Sequence, residues 1–518
     1  MDGVRYYVLM KLCLPIVAVA LSWAVTACAV PKPNVLIILA DDMGYSDLGC
    51  MGSEIKTPHL DRLAENGILF TQAYNTAKCF PTRACLLTGK WFQETDRDFN
   101  NTTTLGEVFQ PAGYRTLWSG KHHATFDPRT RGFDRFYGFL GGAINCWNPG
   151  NAPAPGAPEP ARIEHYQWIL DEDKITEPFI PDRADWYATD VFTDKSIEWL
   201  EETSDDGKPF FLYLAYNAPH WPLHAPEESI EKCRGRYDVG YDAIRNARYQ
   251  RQIEMGLFDP EVAPLSPPEY DQSWDTLPAE LKLRRIAQME VYAAMVERMD
   301  ENIGRIINLL DQQGRLENTV ILFLNDNGAC SSDPSKRVGN YRKDVPVGGV
   351  DSYEAYNQGW ACVSNTPLRR FKLKSHEGGV STPMIVHWPQ GIKSPGRICR
   401  EPVHLVDIAP TVAALAGAEN PASGQGIDIT KALLNEPLPR ERNLYWQWGS
   451  GNAIRKGDMK LVRHNNGDWE LYNLAKDRTE LNDLAGKMPE KVGALSDAWS
   501  AWWKACTGSE HSMKEDKK

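Results

Sequence analysis

The chain has 518 residues, 42% of them hydrophobic and 24% charged, enough apolar material for a large folded core in one or more domains. Its formal net charge of −12 leaves no basic excess to neutralise a phosphate backbone, which excludes a general nucleic-acid binder. An anionic small substrate held by a few local cations remains compatible with that balance.

The first thirty residues read as a targeting segment. Arg5 and Lys11 give a basic start, and "LCLPIVAVALSWAVTACAV", Leu12 to Val30, is apolar and ends in small residues. A signal peptide over 1–30 is therefore expected, with export to the periplasm, the cell envelope or the medium. "VTAC" also fits a lipoprotein cleavage site, which would leave Cys28 lipidated as a membrane anchor; an uncleaved anchor is the third option. Eleven cysteines occur, and removing the two in this segment leaves nine, an odd number with no C-x-x-C pair. Some of these are open to disulfide pairing in an exported protein, and at least one stays free.

"NVLIILADD", Asn34 to Asp42, is a continuous apolar run that ends in two acids. "TPHLDRLAENG" follows as a helix, with Thr57 as its cap, Pro58 in its first turn and Gly67 closing it. "CFPTRACLLTGK" opens a second helix at Cys79. "GYRTLWSGKHH" is the next strand, ending in Lys121 and His123, and "NPGNAPAPGAPEPAR", Asn148 to Arg162, is an exposed loop. "PFFLYLAYNAPH" is a third strand ending at His220. A long amphipathic helix runs through "AAMVERMDENIGRIINLLDQQG", and "NTVILFLNDNG" is a fourth strand, ending at Asp326 and Asn327. Beyond a boundary near residue 435, "AIRKGDMKLVRHNNGDWELYNL" reads as strands joined by turns, followed by a helix over "EKVGALSDAWSAWWKAC" and a polar tail. The alternation predicts an α/β fold over 31–434, a large mixed but mostly parallel sheet flanked by helices, with a smaller α+β subdomain over 435–518.

Each of these four strands turns ionisable at its carboxyl end, where ligands bind in open α/β sheets, so one shared site is expected there. Asp41, Asp42, Asp326 and Asn327 make an all-oxygen set suited to Ca²⁺ or Mg²⁺. Cys79 starts a helix, with Arg83 one turn further along the same face, an arrangement that binds anions or simply caps and packs the helix. Lys121 and His123, two apart, face the same way on an extended segment.

"CFPTRACLLTG" resembles the sulfatase signature, C-x-P-x-R with a downstream T-G. "NVLIILADDMGYSDLGC" and "TVILFLNDNG" are similar to that family's metal-binding segments, and "SGKHH", "NAPHWPLHAP" and "FKLKSHEGGVSTPMIVHWP" to the blocks that supply its active-site cations and histidines. The likeness spans roughly residues 34–505. It implies an alkaline-phosphatase-like fold and hydrolysis of sulfate esters of carbohydrates or aryl alcohols. It also implies oxidation of Cys79 to formylglycine by a sulfatase-maturing enzyme. By the same resemblance, Asp41, Asp42, Asp326 and Asn327 bind one Ca²⁺ together with the modified Cys79. Arg83 holds the modified residue, Lys121 and Lys372 grip the sulfate, His123 acts on the formylglycine hydrate and His220 serves the leaving oxygen. Lys374 stands two residues beyond Lys372 in the same basic run. The family's usual G-K-W-H is Gly120-Lys121-His122-His123 here, which adds a second imidazole at the strand end. A phosphate or phosphonate monoester hydrolase of the same superfamily, and a non-catalytic binder of sulfated glycans, are the competing readings. Residues 145–180, 230–275 and 331–365 read as long loops around a cleft. Trp147, Tyr353, Tyr356 and Trp360 within them either stack on a sugar ring or pack the loops.

Overall fold

Strand β1, Asn34–Ala40, is buried along its whole length. Its alternate side chains enter different cores: Leu36 and Ile38 join one apolar cluster, Val35, Ile37 and Leu39 the other. A strand buried on both faces needs helices on both sides, and this explains why the run is continuously apolar rather than alternating. The computed structural model describes residues 31–95, 98–148, 167–171, 175–176, 179–181, 185–270, 272–334, 342–419, 425–465 and 467–511. The targeting segment, nearly all of the Asn148 to Arg162 loop and the last seven residues of the tail lie outside these.

The large sheet also contains β2 (Ile68–Tyr74), β3 (Arg115–Lys121), β4 (Arg135–Phe139), β5 (Trp168–Asp171), β6 (Ile175–Thr176), β7 (Phe210–Ala215), β8 (Thr319–Asn325), β9 (Ser381–His387), β10 (Arg397–Cys399) and β11 (Val403–His404). Their order is β10-β2-β9-β8-β1-β7-β3-β4-β5-β6, with β11 also on β2. The central run β8-β1-β7-β3-β4 is parallel throughout, while β9 is antiparallel to both its neighbours and β5 to β4. The expected mixed, mostly parallel α/β sheet is what forms. The helix foreseen over 293–314 starts earlier and runs from Ala279 to Gln312.

A second sheet, β12 (Asn443–Trp448), β13 (Gly451–Lys456), β14 (Met459–Arg463) and β15 (Glu470–Asn473), is an antiparallel meander covered by helix Pro489–Thr507. It joins the main sheet through a buried ionic network. Lys460 on β14 lies 2.7 Å from Glu377 and 2.9 Å from Glu480, and all three side chains are withdrawn from solvent. Arg478 pairs with the other oxygen of Glu377, which also accepts from Tyr74 on β2 at 2.9 Å.

Two local expectations are corrected. Thr57 does precede helix Pro58–Glu65, but its hydroxyl accepts from Gly49 N–H at 2.8 Å and donates to Asp61, so it ties a loop rather than capping the helix. Asp300, from the long helix, takes the open N–H groups of His59 and Leu60 instead. The regions 230–275 and 331–365 are not simply loops, because each contains a helix, Gly240–Glu254 and Asn357–Ser364. The aromatics named in these regions pack. Tyr356 stacks on Tyr292, Trp360 meets Tyr237, Tyr241 and Trp274, Trp147 meets Tyr187, and Tyr353 lies edge-on to Trp221. The nine cysteines of the described residues are all free thiols. No helix among the described residues is long and apolar enough to cross a membrane.

Candidate active site

The parallel strands bring their carboxyl ends to one edge. Ala40 of β1 pairs with Asn325 of β8, so Asp41 and Asp326 sit one residue past matched ends. Asp326 N–H continues that ladder to Ala40 O at 3.2 Å, and Asp42 N–H donates to Asp326 Oδ1 at 3.2 Å. Lys121 is the last residue of β3, and His220 follows β7. Gly120, at φ 110°, lets β3 pass close to β7, where a Cβ would come within 2.0 Å of Ala215 O. Helix Cys79–Thr88 follows the end of β2, with Cys79 at its first position and only 1% exposed. Lys372 lies in the segment that leads into β9, an antiparallel strand that begins at this edge.

Cations and carboxylates interleave there. Lys121 Nζ is 2.5 Å from Asp41 Oδ2. Arg83 Nη2 is 2.9 Å from Asp326 Oδ2 and 3.8 Å from Asp41 Oδ1, and its Nη1 donates to Lys121 O at 3.3 Å. Lys372 pairs with Asp42 Oδ1, which also accepts from Asn327 Nδ2 at 2.7 Å. His220 Nε2 lies 3.2 Å from Asp42 Oδ2, and its Nδ1 faces Trp221 O. All ten residues foreseen for the site, Asp41, Asp42, Cys79, Arg83, Lys121, His123, His220, Asp326, Asn327 and Lys372, belong to this edge.

Burial and neighbouring charge set the protonation states. Burial would raise the Cys79 thiol, but Lys121, Lys372 and Lys78 outweigh it and pull the thiol down to about 7. Burial pushes the His123 imidazole well below its usual range, and Lys121, Arg83, Lys78 and Lys372 push the same way, so the ring is a neutral base. Burial takes His220 down to about 4 against the opposing pull of Asp42. Both of its ring nitrogens nevertheless face acceptors, an arrangement that suits a proton in transit. Burial raises Asp326 to about 6, with Asp41 adding to it.

Two details differ from the sequence reading. Strand β3 ends at Lys121 and His123 takes φ 68°, so a left-handed turn, rather than a shared strand face, presents the imidazole. His122 does not join the site. Its ring is buried between Trp118, at 4.6 Å, and Phe126, at 4.3 Å, and neither ring nitrogen has a hydrogen bond. It occupies an aromatic pocket as a tryptophan would, and His123 is the imidazole that lies among the cations of this edge.

The residues also fit a hard divalent ion. Asp41 Oδ1, Asp42 Oδ2 and Asn327 Oδ1 are buried and accept no hydrogen bond. Ligand atoms of Asp41, Cys79 and Asp326 lie within 4.8 Å of one another, as do those of Asp41, Asp42 and His220. Orphaned buried oxygens are costly unless something satisfies them. Three carboxylates already face three cations, so a divalent ion would leave a positive surplus, which suits an anionic substrate.

The sequence reading missed Lys78, which stands directly before Cys79 and adds to the positive field on both Cys79 and His123. It missed Gly142 as well; a Cβ there would come within 2.7 Å of His123 Nε2. The first was visible as a lysine directly before the motif, while the second depends on a long-range approach that spacing does not encode.

Residues 33–418 match the sulfatase family profile, and residues 370–492 match that of the N-sulphoglucosamine sulphohydrolase C-terminal region. An uncharacterized sulfatase of Schizosaccharomyces pombe is 34% identical, over 90% of this chain and 93% of its own. An arylsulfatase of Klebsiella aerogenes is 33% identical, over 82% of this chain and 93% of its own. The crystal structure of Ps i-CgsB in complex with k-i-k-neocarrahexaose superposes with a TM-score of 0.65 at 24% identity, covering 93% of this chain and 96% of that one, which shows the shared fold.

Proposed function

The chain belongs to the sulfatase family and is a sulfuric ester hydrolase, and from that premise we propose that it acts on sulfated carbohydrates through a formylglycine made from Cys79, with one Ca²⁺. The observation that carries this reading is Cys79 itself. It is a buried thiol at a helix start, drawn toward the thiolate by Lys121 and Lys372 and grouped with the Asp41 and Asp326 carboxylates. A structural cysteine has no use for such surroundings, whereas a residue that must meet sulfate beside a cation does. We propose further that the maturing enzyme acts on this segment during export directed by residues 1–30.

Asp41, Asp42, Asp326, Asn327 and the modified residue would hold the ion, which would supply Lewis acidity toward a sulfate oxygen. The hydrated formylglycine would supply two hydroxyls on one carbon, one to attack sulfur and the other to allow sulfate to leave. Lys121 Nζ and Lys372 Nζ bind the sulfate oxygens and oppose the charge that builds on them. Arg83, fixed by Asp326, holds the helix start against the strand ends. His220 Nε2, its ring held beside Asp42, orients the leaving alcohol oxygen as the sulfur–oxygen bond breaks, and neutral His123 takes the proton released when sulfate departs.

The test is turnover by protein matured in a host with the modifying enzyme, in Ca²⁺, on position-defined sulfated sugars, an aryl sulfate and the matching aryl phosphate. Sulfate esters should be hydrolysed at least ~10²-fold faster than the phosphate. Faster phosphate hydrolysis would overturn the reading.

A further inference from the structure

Two lysines flank the buried site without a salt bridge among the described residues. Lys78 and Lys374 are half-buried, and neither has a carboxylate partner among the described residues. They share a seam, because Leu373 N–H donates to Ala77 O at 2.8 Å, and each lysine lies one residue beyond that bond. Leu373, at φ 74°, is 39% exposed, whereas Lys372 is 8% and Cys79 1%, so the seam leads from solvent to the buried centre.

The other side of the seam belongs to the second sheet. Lys374 Nζ contacts His464 Nε2 on the β14–β15 connection, and His464 Nδ1 lies 3.4 Å from Ser450 Oγ. The β12–β13 turn packs directly on the seam, where a Cβ at Gly451 would come within 2.9 Å of Ser375 Oγ and 3.4 Å of Leu373 O. Two carboxylates lie nearby and both are engaged elsewhere. Glu269 pairs with Arg369 and Arg370, and Glu470 with His376 at 3.2 Å and with Tyr472. A half-buried ammonium whose contact is a neutral imidazole keeps donors free for an incoming anion.

We propose that Lys78 and Lys374, with His464 holding Lys374 in place, form a second anion subsite that takes a further sulfate or carboxylate on the same sugar substrate. This rests on the sulfate-ester reading above and makes the preferred substrate a glycan carrying at least two negative groups. The ester that is cleaved sits among Lys121, Lys372 and the carboxylates. The second group sits across the Leu373 seam, so the second sheet helps to select the substrate.

Binding separates this from turnover. Calorimetry on full-length Cys79→Ala protein in CaCl₂ would compare glucosamine 6-sulfate, glucosamine 2-N,6-O-disulfate and a 6-sulfated disaccharide bearing a uronate. The expected result is at least ~10-fold tighter binding of one of the two doubly anionic ligands, which also identifies the second group as sulfate or carboxylate. Lys374→Gln should erase most of that preference while leaving the monosulfate Kd within about twofold. Lys78→Gln, on the other side of the seam, should shrink it independently. The preference should also fall with added salt in the parent protein but not in Lys374→Gln. Equal binding of all three ligands, or equal weakening of all three by Lys374→Gln, overturns the subsite while leaving the sulfatase site standing. Failure of all three to bind overturns the sugar-sulfate reading and the subsite together.

Discussion

Lys121 Nζ lies 2.5 Å from Asp41 Oδ2, and neither side chain has any exposed surface. The pair joins the proposed sulfate-binding lysine to a proposed ligand of the metal, so neither can be changed alone. Lys121→Met should lower kcat/KM by roughly 10²–10³-fold, because a donor preorganised for developing charge is lost. It should also leave Asp41 as a buried carboxylate with less compensation and destabilise the metal-free protein by about 3 kcal/mol. Steady-state kinetics and urea unfolding in EDTA check the two effects separately. Unchanged stability would mean that Arg83 alone suffices for Asp41.

Calcium should stabilise the fold as well as support turnover. Asp41 Oδ1 and Asn327 Oδ1 have no hydrogen bond to lose when an ion arrives, and Asp42 Oδ2 gives up its contact with His220 Nε2 at 3.2 Å. Saturation at about 100 times Kd should add about 2.7 kcal/mol, read as a rise in Tm over EDTA-treated protein. Asn327→Ala should weaken the dependence on calcium concentration.

Unmodified Cys79 gives a pH signature of its own. Its thiol is lowered to about 7, while burial raises Cys362 to about 11 and Cys85, Cys146 and Cys233 to about 12. An acid with a lowered pKa is ionised above that value. Chelated protein made without maturation should therefore gain one thiolate per chain near pH 7, seen by ultraviolet titration and absent in Cys79→Ser. Titration only above pH 9 would show that the lysine field is weaker than the geometry implies.

The junction between the sheets depends on Lys460. Removing it takes the buried cation from between Glu377 and Glu480 and leaves Glu377 with Arg478, so Lys460→Met should cost about 3–5 kcal/mol in urea unfolding. Adding Glu480→Gln should recover part of that loss.

Much of the site was legible because the strands that carry it are parallel and buried on both faces. Such strands read as unbroken apolar runs, and their ends are marked by Asp41-Asp42, Lys121, His220 and Asp326-Asn327. Cys79 was legible through its motif rather than through physical pattern. What the sequence did not reveal came from contacts between distant segments. The role of His122 depends on Trp118 and Phe126 closing around it. The turn at His123 departs from the strand alternation that had paired it with Lys121. The antiparallel insertion of β9 between β2 and β8, which brings Lys372 to the site, left no local mark. The seam at Leu373 joins residues 77 and 373, and no periodicity predicts that pairing.

Mass spectrometry of the peptide spanning Cys79 and Arg83, from protein matured in a competent host, is the most direct measurement. An aldehyde in place of the thiol at residue 79, reactive toward a hydrazide and present in the active fraction, is the expected result. An intact Cys79 thiol in protein that hydrolyses sulfate esters at full rate would contradict it.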